Sequence, residues 1–173
     1  MIGTPHPLHT GGFTNNFSFM GFDLQIFLQW SYGNDILNYT RVFVEGLGTR
    51  PFQNIGAVRD RWRKPGDITD IPRATLSDPN NNLRTSSRFI EDGSYLRFRN
   101  VILGYNFPAS LISKLKLSQL RVFVQAQNLF TFTNYSGLDP ELNFQGDATL
   151  TMGTDFFTYP QPRTITFGLN VGF

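Results

Sequence analysis

The sequence predicts an all-β fold: about five antiparallel strands of a transmembrane β-barrel, joined by long extracellular loops that contain short helices. Segments of about ten residues alternate apolar with small or polar side chains, as membrane strands do when one face meets lipid and the other a lumen. The chain is also rich in aromatic residues, with 18 Phe and 6 Tyr among 173 residues, and such residues form the girdles of these barrels. Finally, short and long connections alternate between the segments, as periplasmic turns and extracellular loops do.

The composition excludes several other classes. The mean hydropathy is −0.22 and no run approaches the roughly 18 apolar residues of a membrane helix. A formal net charge of +2 without a basic tract gives no reason to expect a nucleic-acid partner. The absence of cysteine fits both an exported and a cytoplasmic protein. The first residues lack the pattern of a signal peptide, so we expect an exported protein to have further sequence upstream.

The segment 163–173 is the most informative strand. Its odd-numbered side chains from Ile165 to Phe173 are apolar, and the even-numbered ones between them are small or polar. Its ending resembles the carboxy-terminal signal by which outer-membrane barrels are recognised for assembly. We expect the barrel assembly machinery to read four residues: Thr166, Gly168, Val171 and Phe173. The edge strand of a soluble sandwich is the alternative interpretation of this segment.

Two further strands are predicted at 13–20 and 22–32, joined by a tight turn at Met20 and Gly21. The second has the clearest alternation in the chain, with Phe27 as its one exception. Its polar side chains include Gln25 and Gln29, which we expect to face the lumen.

The remaining strands are predicted at 95–107 and 120–132. In the second, alternation predicts that one face meets the lumen and the other meets lipid. The lumen-facing residues are Arg121, Gln125 and Gln127, and the lipid-facing residues are Val122, Val124 and Phe130. In the first, Arg97 and Arg99 are odd-numbered like the apolar residues of the strand, so regular alternation places them on the same face. An Arg that faces lipid near the midplane of the membrane costs about 2–4 kcal/mol. We therefore expect that strand to continue beyond the membrane.

The two long loops are predicted near 33–94 and 134–162. Apolar spacing within the first predicts a helix over Asp35–Leu47 capped by Asn34, and a second over Gln53–Trp62. A turn-rich stretch, 67–82, is expected to lie extended over the barrel mouth. Trp62, with a basic group that includes Arg59 and Arg63, could contact a sugar or a partner; a helix face packed on its own loop is the alternative.

No enzymatic or metal chemistry is predicted, and we expect no cofactor. His6 and His9 lack a third ligand. Glu91, Asp92 and Asp139 have no feature that indicates catalysis beyond being carboxylates. Four acidic residues in one loop match no recognised calcium loop: Asp139, Glu141, Asp147 and Asp155.

Several blocks of the chain, in order, resemble the carboxy-terminal part of SusC/RagA-type TonB-linked outer-membrane transporters. The blocks are Gly11-Gly-Phe-Thr-Asn-Asn16, Gly21-Phe-Asp-Leu24 with Ser31-Tyr-Gly-Asn-Asp35, Ser87-Arg-Phe-Ile-Glu-Asp-Gly-Ser-Tyr-Leu-Arg-Phe-Arg-Asn-Val101 with Leu103-Gly-Tyr105, Gln127-Asn-Leu-Phe-Thr131 with Tyr135-Ser-Gly-Leu-Asp-Pro-Glu141, and Tyr159-Pro-Gln-Pro-Arg-Thr164. The resemblance covers nearly all of residues 1–173, and implies that they form the carboxy-terminal part of a 22-stranded barrel with an amino-terminal plug.

The same resemblance implies a function in the outer membrane of a Gram-negative bacterium. Such a transporter imports oligosaccharides, or in some members peptides, together with a SusD-like surface lipoprotein and with energy from TonB. Neither the plug nor the segment that contacts TonB has a counterpart in this sequence, and five strands cannot close a barrel. We therefore expect the chain to be a fragment, a truncated reading frame, or one piece of a split transporter. Two alternatives stay open: a soluble β-sandwich module that binds a glycan, and an outer-membrane structural or adhesion barrel.

Overall fold

The computed structural model describes residues 2–47, 54–142, 144 and 152–173. Strands predominate, and the helices are short. The strands are β1 (His9–Phe19), β2 (Phe22–Tyr32), β3 (Asp35–Asn38), β4 (Ile90–Asp92), β5 (Tyr95–Asn106), β6 (Gln119–Gln127), β7 (Thr131–Thr133), β8 (Thr154–Asp155) and β9 (Thr164–Gly172). The α-helices are α1 (Tyr39–Val44) and α2 (Ala109–Ile112), and 3₁₀ helices span Gly56–Asp60, Ser87–Phe89 and Ser113–Leu115.

The main sheet has the order β1-β2-β5-β6-β9, and every neighbouring pair is antiparallel. Its first hairpin turns at Met20 and Gly21, with φ of 48° and 86°. Two successive residues with positive φ give the tight turn whose twist matches that of the strands it joins. The other short connection, 107–118, lies at the same end of the sheet, whereas the loops 33–94 and 128–163 leave from the opposite end.

A bulge in β5 changes the side on which the following residues point. Phe27 of β2 lies opposite Asn100, but the next residue, Leu28, lies opposite Phe98, so Arg99 is an extra residue in β5. One inserted residue reverses the alternation beyond it. Arg97 consequently lies on the polar face and Phe98 on the apolar face. The prediction that Arg97 and Arg99 lie on the apolar face is therefore wrong, whereas the expectation that this strand continues beyond the membrane stays a prediction.

The partner strand is interrupted at the same level. Strand β6 ends at Gln127, and β7 pairs with β5 only from Thr131. Asn128 between them has a φ of 52° and donates its N–H to the Arg99 carbonyl at 3.1 Å. The segment predicted as one strand over 120–132 is therefore two strands, because its backbone has to follow the bulge in β5.

A second, three-stranded sheet lies within the loops. Strand β3 pairs antiparallel with β4 and parallel with β8. The helix predicted over Asp35–Leu47 therefore begins only at Tyr39, since residues 35–38 pair with segments distant in sequence. Its cap is Asn38, whose Oδ1 accepts from the Arg41 N–H at 3.3 Å, rather than Asn34.

The second predicted helix, Gln53–Trp62, is also corrected. Its described part contains only the 3₁₀ turn Gly56–Asp60, and Gln53 lies outside the described residues. The first loop nevertheless has its own core, in which Val42, Leu83 and Phe89 are buried together. In the described part of the chain, no helix is both long and apolar enough to cross a membrane.

Candidate functional site

One face of the main sheet is apolar and uncovered. Its cross-strand row of Phe17, Leu24, Leu103, Val124 and Phe167 spans all five long strands. Many of its large side chains are exposed, with Phe167 at 81%. An apolar patch of this extent marks a surface that contacts lipid or another protein. Two residues predicted to face lipid, Val122 and Val124, lie on this face, and the third, Phe130, packs at its end.

Aromatic side chains cluster at both ends of the apolar face. At the short-turn end, the rings of Phe22 and Tyr105 are 4.6 Å apart. At the loop end, the Phe98 ring lies 6.5 Å from Phe130 and 6.2 Å from Phe132. From Phe22 to Trp30, which lies level with Leu96 and Phe132, β2 advances by roughly eight residues, or about 27 Å. At a tilt of about 40° this gives about 20 Å of height, near the apolar band of an outer-membrane barrel.

The opposite face is polar. It carries the five residues predicted to line a lumen: Gln25, Gln29, Arg121, Gln125 and Gln127. Gln125 donates from Nε2 to the Asn100 Oδ1 at 2.8 Å across neighbouring strands. All five residues lie on one face of the sheet, and the lining of a lumen by that face stays a prediction.

An ion pair crosses this polar face where a glycine leaves room for it. Arg121 on β6 donates from Nε and Nη2 to the Asp23 carboxylate on β2, at 3.1 and 2.5 Å. Strand β5 lies between them and presents Gly104, where an added Cβ would stand 2.5 Å from the Arg121 Nη2. The absence of a side chain at Gly104 therefore permits the bidentate contact.

A second glycine holds an aromatic ring on the same face. The Phe123 ring lies over Gly168, where a Cβ would stand 2.1 Å from the nearest ring carbon. Gly168 is one of the four residues predicted as an assembly signal. Thr166 shares its polar face, Val171 lies opposite Leu120 on the apolar face, and Phe173 follows the strand with 95% exposure. Packing under Phe123 is a structural reason for Gly168, and the role of the four residues in assembly stays a prediction.

Beyond the bulge, the polar face anchors the second long loop. Arg97 is 1% exposed and ion-paired with Asp139, and its Nη1 lies 2.8 Å from a Glu141 carboxylate oxygen. Arg99 binds the same Glu141 oxygen at 2.7 Å. The other Asp139 oxygen accepts the Gln161 N–H at 2.9 Å. Two strand arginines therefore hold residues 139–141 and 161 against the loop end of the sheet.

A second network ties the two long loops to each other. Arg41 binds Glu45 at 2.6 Å and Glu91 at 2.9 Å. Glu91 also accepts the Ser136 N–H at 2.8 Å and the Ser136 Oγ–H at 2.9 Å. Burial acts to raise the pKa of Glu91, but the hydrogen bonds from Ser136 and Arg41 together hold that pKa below its usual range. The carboxylate is consequently ionised and shared by the two loops.

Tyr135 strengthens the same junction. Its hydroxyl donates to Asp155 at 2.5 Å, and both residues are buried. Burial, followed by the hydrogen bond and charge of Asp155, raises the pKa of Tyr135 far above its usual range. The phenol is therefore a permanent donor that fixes β8 to the start of the second loop. Beside this junction lies a cavity of about 730 Å³, lined mainly by apolar atoms of both loops.

The first loop contains a separate hollow of about 610 Å³, lined by residues between Trp62 and Arg88. Trp62 lines this hollow, whereas Arg59 and Arg63 do not, and a contact of these residues with a ligand or partner stays a prediction. Both arginines are exposed, and Arg63 Nη2 donates to the Arg59 carbonyl at 2.7 Å. The lining instead contains Asp70, Asn80 and Asn82, among others, which the sequence did not single out.

The potential metal ligands are engaged elsewhere. The His9 ring stacks on Tyr32, with centroids 5.1 Å apart, and its Nδ1 accepts from the Trp30 Nε1 at 3.2 Å. Asp139, Glu141 and Asp155 make the contacts described above, and Asp147 lies outside the described residues. In the described ranges, no three His, Cys, Asp or Glu side chains are placed to hold a metal ion.

No family model matches the chain, but individual proteins of known sequence do. TonB-dependent receptors P3 and P39 of Formosa agariphila are 38% and 33% identical to it over its whole length, and each alignment covers 17% of the receptor. TonB-dependent receptor SusC of Bacteroides thetaiotaomicron is 35% identical over 51% of the chain.

Solved structures agree with the sequence relatives. The chain matches the RagAB peptide importer in its closed-closed state with a TM-score of 0.80 and 26% identity, over 99% of this chain and 18% of that one. The chain thus spans less than a fifth of the length of the relatives it matches. It belongs to the SusC/RagA-type TonB-dependent receptors of the Gram-negative outer membrane, and it corresponds to the carboxy-terminal part of their β-barrel.

Proposed function

We propose that the chain is part of a TonB-dependent active transporter that imports oligosaccharides, or peptides, together with a SusD-like surface lipoprotein. The observation that carries the proposal is the two-faced sheet, with an apolar face bordered by aromatic clusters and a polar face behind it. A polar face on a barrel interior gives a wet passage, and an apolar exterior fits lipid. Val124 and Gln125, adjacent on β6, represent the two surfaces.

The folded loops support uptake at the outer surface. A loop that merely joined two strands would not need a second sheet, its own core and buried ion pairs. Here Arg97 and Glu91 each fix loop segments from distant parts of the chain. Rigid loops at the mouth of a barrel suit a site where a ligand and a surface lipoprotein meet before transport.

The apolar face also weighs against a soluble sandwich. A sandwich covers such a face with a second sheet, whereas here Phe13, Phe17 and Phe167 are each more than half exposed. The named relatives are receptors and importers, and we accordingly propose no catalytic activity for this chain. We also propose that the whole receptor, of which this chain is a part, uses energy delivered by TonB for transport.

Uptake assays in the source bacterium test the proposal. Cells that lack the receptor gene should lose uptake of one fluorescently labelled oligosaccharide or peptide mixture, and cells that lack TonB should lose it equally. A tagged receptor should co-purify with a surface lipoprotein encoded beside it. Uptake that persists at wild-type rate in both deletion strains, across a broad panel of both ligand classes, would contradict the proposal.

A further inference from the structure

The hollow beside Trp62 has the size and lining of a ligand site. Its volume of about 610 Å³ lies within the usual range for small-molecule pockets, about 300–1,000 Å³. All the residues that line it belong to the first long loop, and none belongs to the main sheet. We propose that it is a binding subsite for an uncharged sugar ring, which packs on the Trp62 indole and is hydrogen-bonded by Asp70, Asn80 and Asn82.

The polar side chains that line the hollow are available to a ligand. Asp70, Asn80 and Asn82 make no side-chain hydrogen bond or ion pair with any residue in the described part of the chain. Asp70 and Asn80 are exposed, and Asn82 is half-buried. A carboxylate accepts two hydrogen bonds side by side, and an amide accepts one and donates one. Neighbouring hydroxyl groups of a sugar ring present the same pairs of donors and acceptors.

The walls of the hollow are held in place by backbone contacts. The Trp62 N–H donates to the Ile71 carbonyl at 2.9 Å, which joins the two sides of the Trp62 turn. The Asp78 carboxylate accepts the N–H groups of Asn82 and Leu83 at 2.8 and 3.0 Å, and Leu83 is buried in the loop core. A site formed before the ligand arrives avoids much of the ordering cost of binding.

The charges favour a neutral ligand. Asp70 and Arg73 contribute opposite charges to the lining. Arg88, which also lines the hollow, binds Glu45 through Nη2 at 2.5 Å and lies 4.9 Å above the Phe89 ring, while its buried Nε and Nη1 have no hydrogen-bond partner among the described residues. With Glu45 counted, two acidic and two basic side chains balance around the hollow, so a charged ligand would meet a like charge as well as an opposite one.

The backbone around the hollow favours a sugar over a peptide. Extended peptides are commonly bound by adding a strand to a sheet edge, which supplies backbone donors and acceptors. Residues 61–86 contain no strand, and the groups that line the hollow are an indole, amides and a carboxylate. The choice of a sugar as the ligand rests on the proposed function, which is the import of oligosaccharides or peptides. Binding in the hollow itself does not require transport.

Calorimetry on the full-length receptor in detergent tests the subsite, with neutral hexaoses of the malto, cello, xylo and laminari series and a mixture of hexapeptides as probes. We expect one hexaose series to bind and Trp62→Ala to weaken it at least tenfold. Trp62→Phe, which keeps a ring, should lose less, and Asp70→Asn should weaken binding without changing the shape of the hollow. Arg59→Ala is the matched control, since Arg59 is exposed nearby and does not line the hollow.

Two results would overturn the subsite: no hexaose binds, whether or not peptides do, or Trp62→Ala binds the hexaose like the wild type. Heat-modifiable migration of each variant in gels separates lost binding from lost folding. TonB-dependent uptake in cells is measured separately. Hexaose binding that depends on Trp62 but is followed by no uptake would contradict the proposed function and leave the subsite in place. TonB-dependent uptake of a hexaose whose binding Trp62→Ala leaves unchanged would contradict the subsite and leave the proposed function in place.

Discussion

Removing the Asp139 carboxylate should release the second long loop from the sheet. Asp139 pairs with Arg97, which is 1% exposed, and it also accepts the N–H groups of Glu141 and Gln161, both at 2.9 Å. In Asp139→Ala the buried guanidinium loses its nearest anion, and two backbone donors lose their acceptor. The loss should therefore act on residues 134–141 and 159–163 and leave the strands paired.

The size of the effect follows from burial. Breaking a buried ion pair by removing one partner costs about 3–5 kcal/mol. Glu141 stays 2.8 Å from the Arg97 Nη1, so we expect the lower end, about 3 kcal/mol. Since about 1.4 kcal/mol is tenfold in an equilibrium, the open population should rise about 100-fold. Asp139→Asn keeps an oxygen that can accept the Gln161 N–H, so it should lower the free energy of loop opening by about half as much as Asp139→Ala does.

Hydrogen exchange of the full-length receptor, read by mass spectrometry, measures this opening. Exchange should accelerate in the peptides that cover 134–141 and 159–163, and stay slow in β5 and β6. Asp23→Ala is the control, because its pair with Arg121 is partly exposed and such pairs contribute about 0–1 kcal/mol. If loop exchange is unchanged in an Asp139→Ala receptor that folds normally, the Asp139 carboxylate does not hold the second long loop on the sheet.

Three further predictions concern the strands and the loop junction. Gly104→Val should lower the receptor level in outer-membrane fractions, because its side chain would overlap both Arg121 and Asp23, which a Cβ would approach to 2.5 and 2.7 Å; wild-type levels would contradict this. Gly168→Val should do the same by displacing the Phe123 ring, and adding Phe123→Ala should restore much of the loss; a double variant as poor as the single one would contradict the contact. The lowered pKa of Glu91 means that its contribution to loop stability is present above the ordinary Glu pKa, about 4.3, and is lost as pH falls through the lowered value. Loop proteolysis by pepsin should accordingly rise steeply with acid in the wild type and much less in Glu91→Gln, and equal profiles would contradict the assignment.

The long strands could be predicted because their signal is local. Alternation in 22–32 and 163–173 indicates both the strand and its two faces, and the structure has strands at Phe22–Tyr32 and Thr164–Gly172. The bulge was missed although the sequence contained a sign of it. Two arginines at apolar parity conflict with a lipid-facing strand, and an inserted residue resolves the conflict as well as an extension beyond the membrane does. The aromatic residue between them, Phe98, fits the apolar face only after the insertion.

The loop elements depend on partners that the local sequence does not indicate. Ile36 and Leu37 fit the spacing of a helix, yet their segment is a strand because β4 and β8 pair with it from more than 50 residues away. The ion pairs of Arg97 have the same origin, since Asp139 lies 42 residues downstream. Trp62 was singled out for its residue type, whereas the rest of its hollow comes from a turn-rich stretch with no periodic pattern.

We expect the sheet to cross the outer membrane with its apolar face on lipid and its polar face on the lumen, and Arg99 to shift the alternation in β5. Spin labels on single cysteines at Phe98, Val124 and Gln125 of the full-length receptor in bilayers test it directly. Oxygen, which partitions into lipid, should relax labels at positions 98 and 124, and a water-soluble nickel complex should relax the label at 125. A label at 98 that meets the nickel complex would contradict the shift at Arg99, and reversed accessibilities at 124 and 125 would contradict the crossing itself.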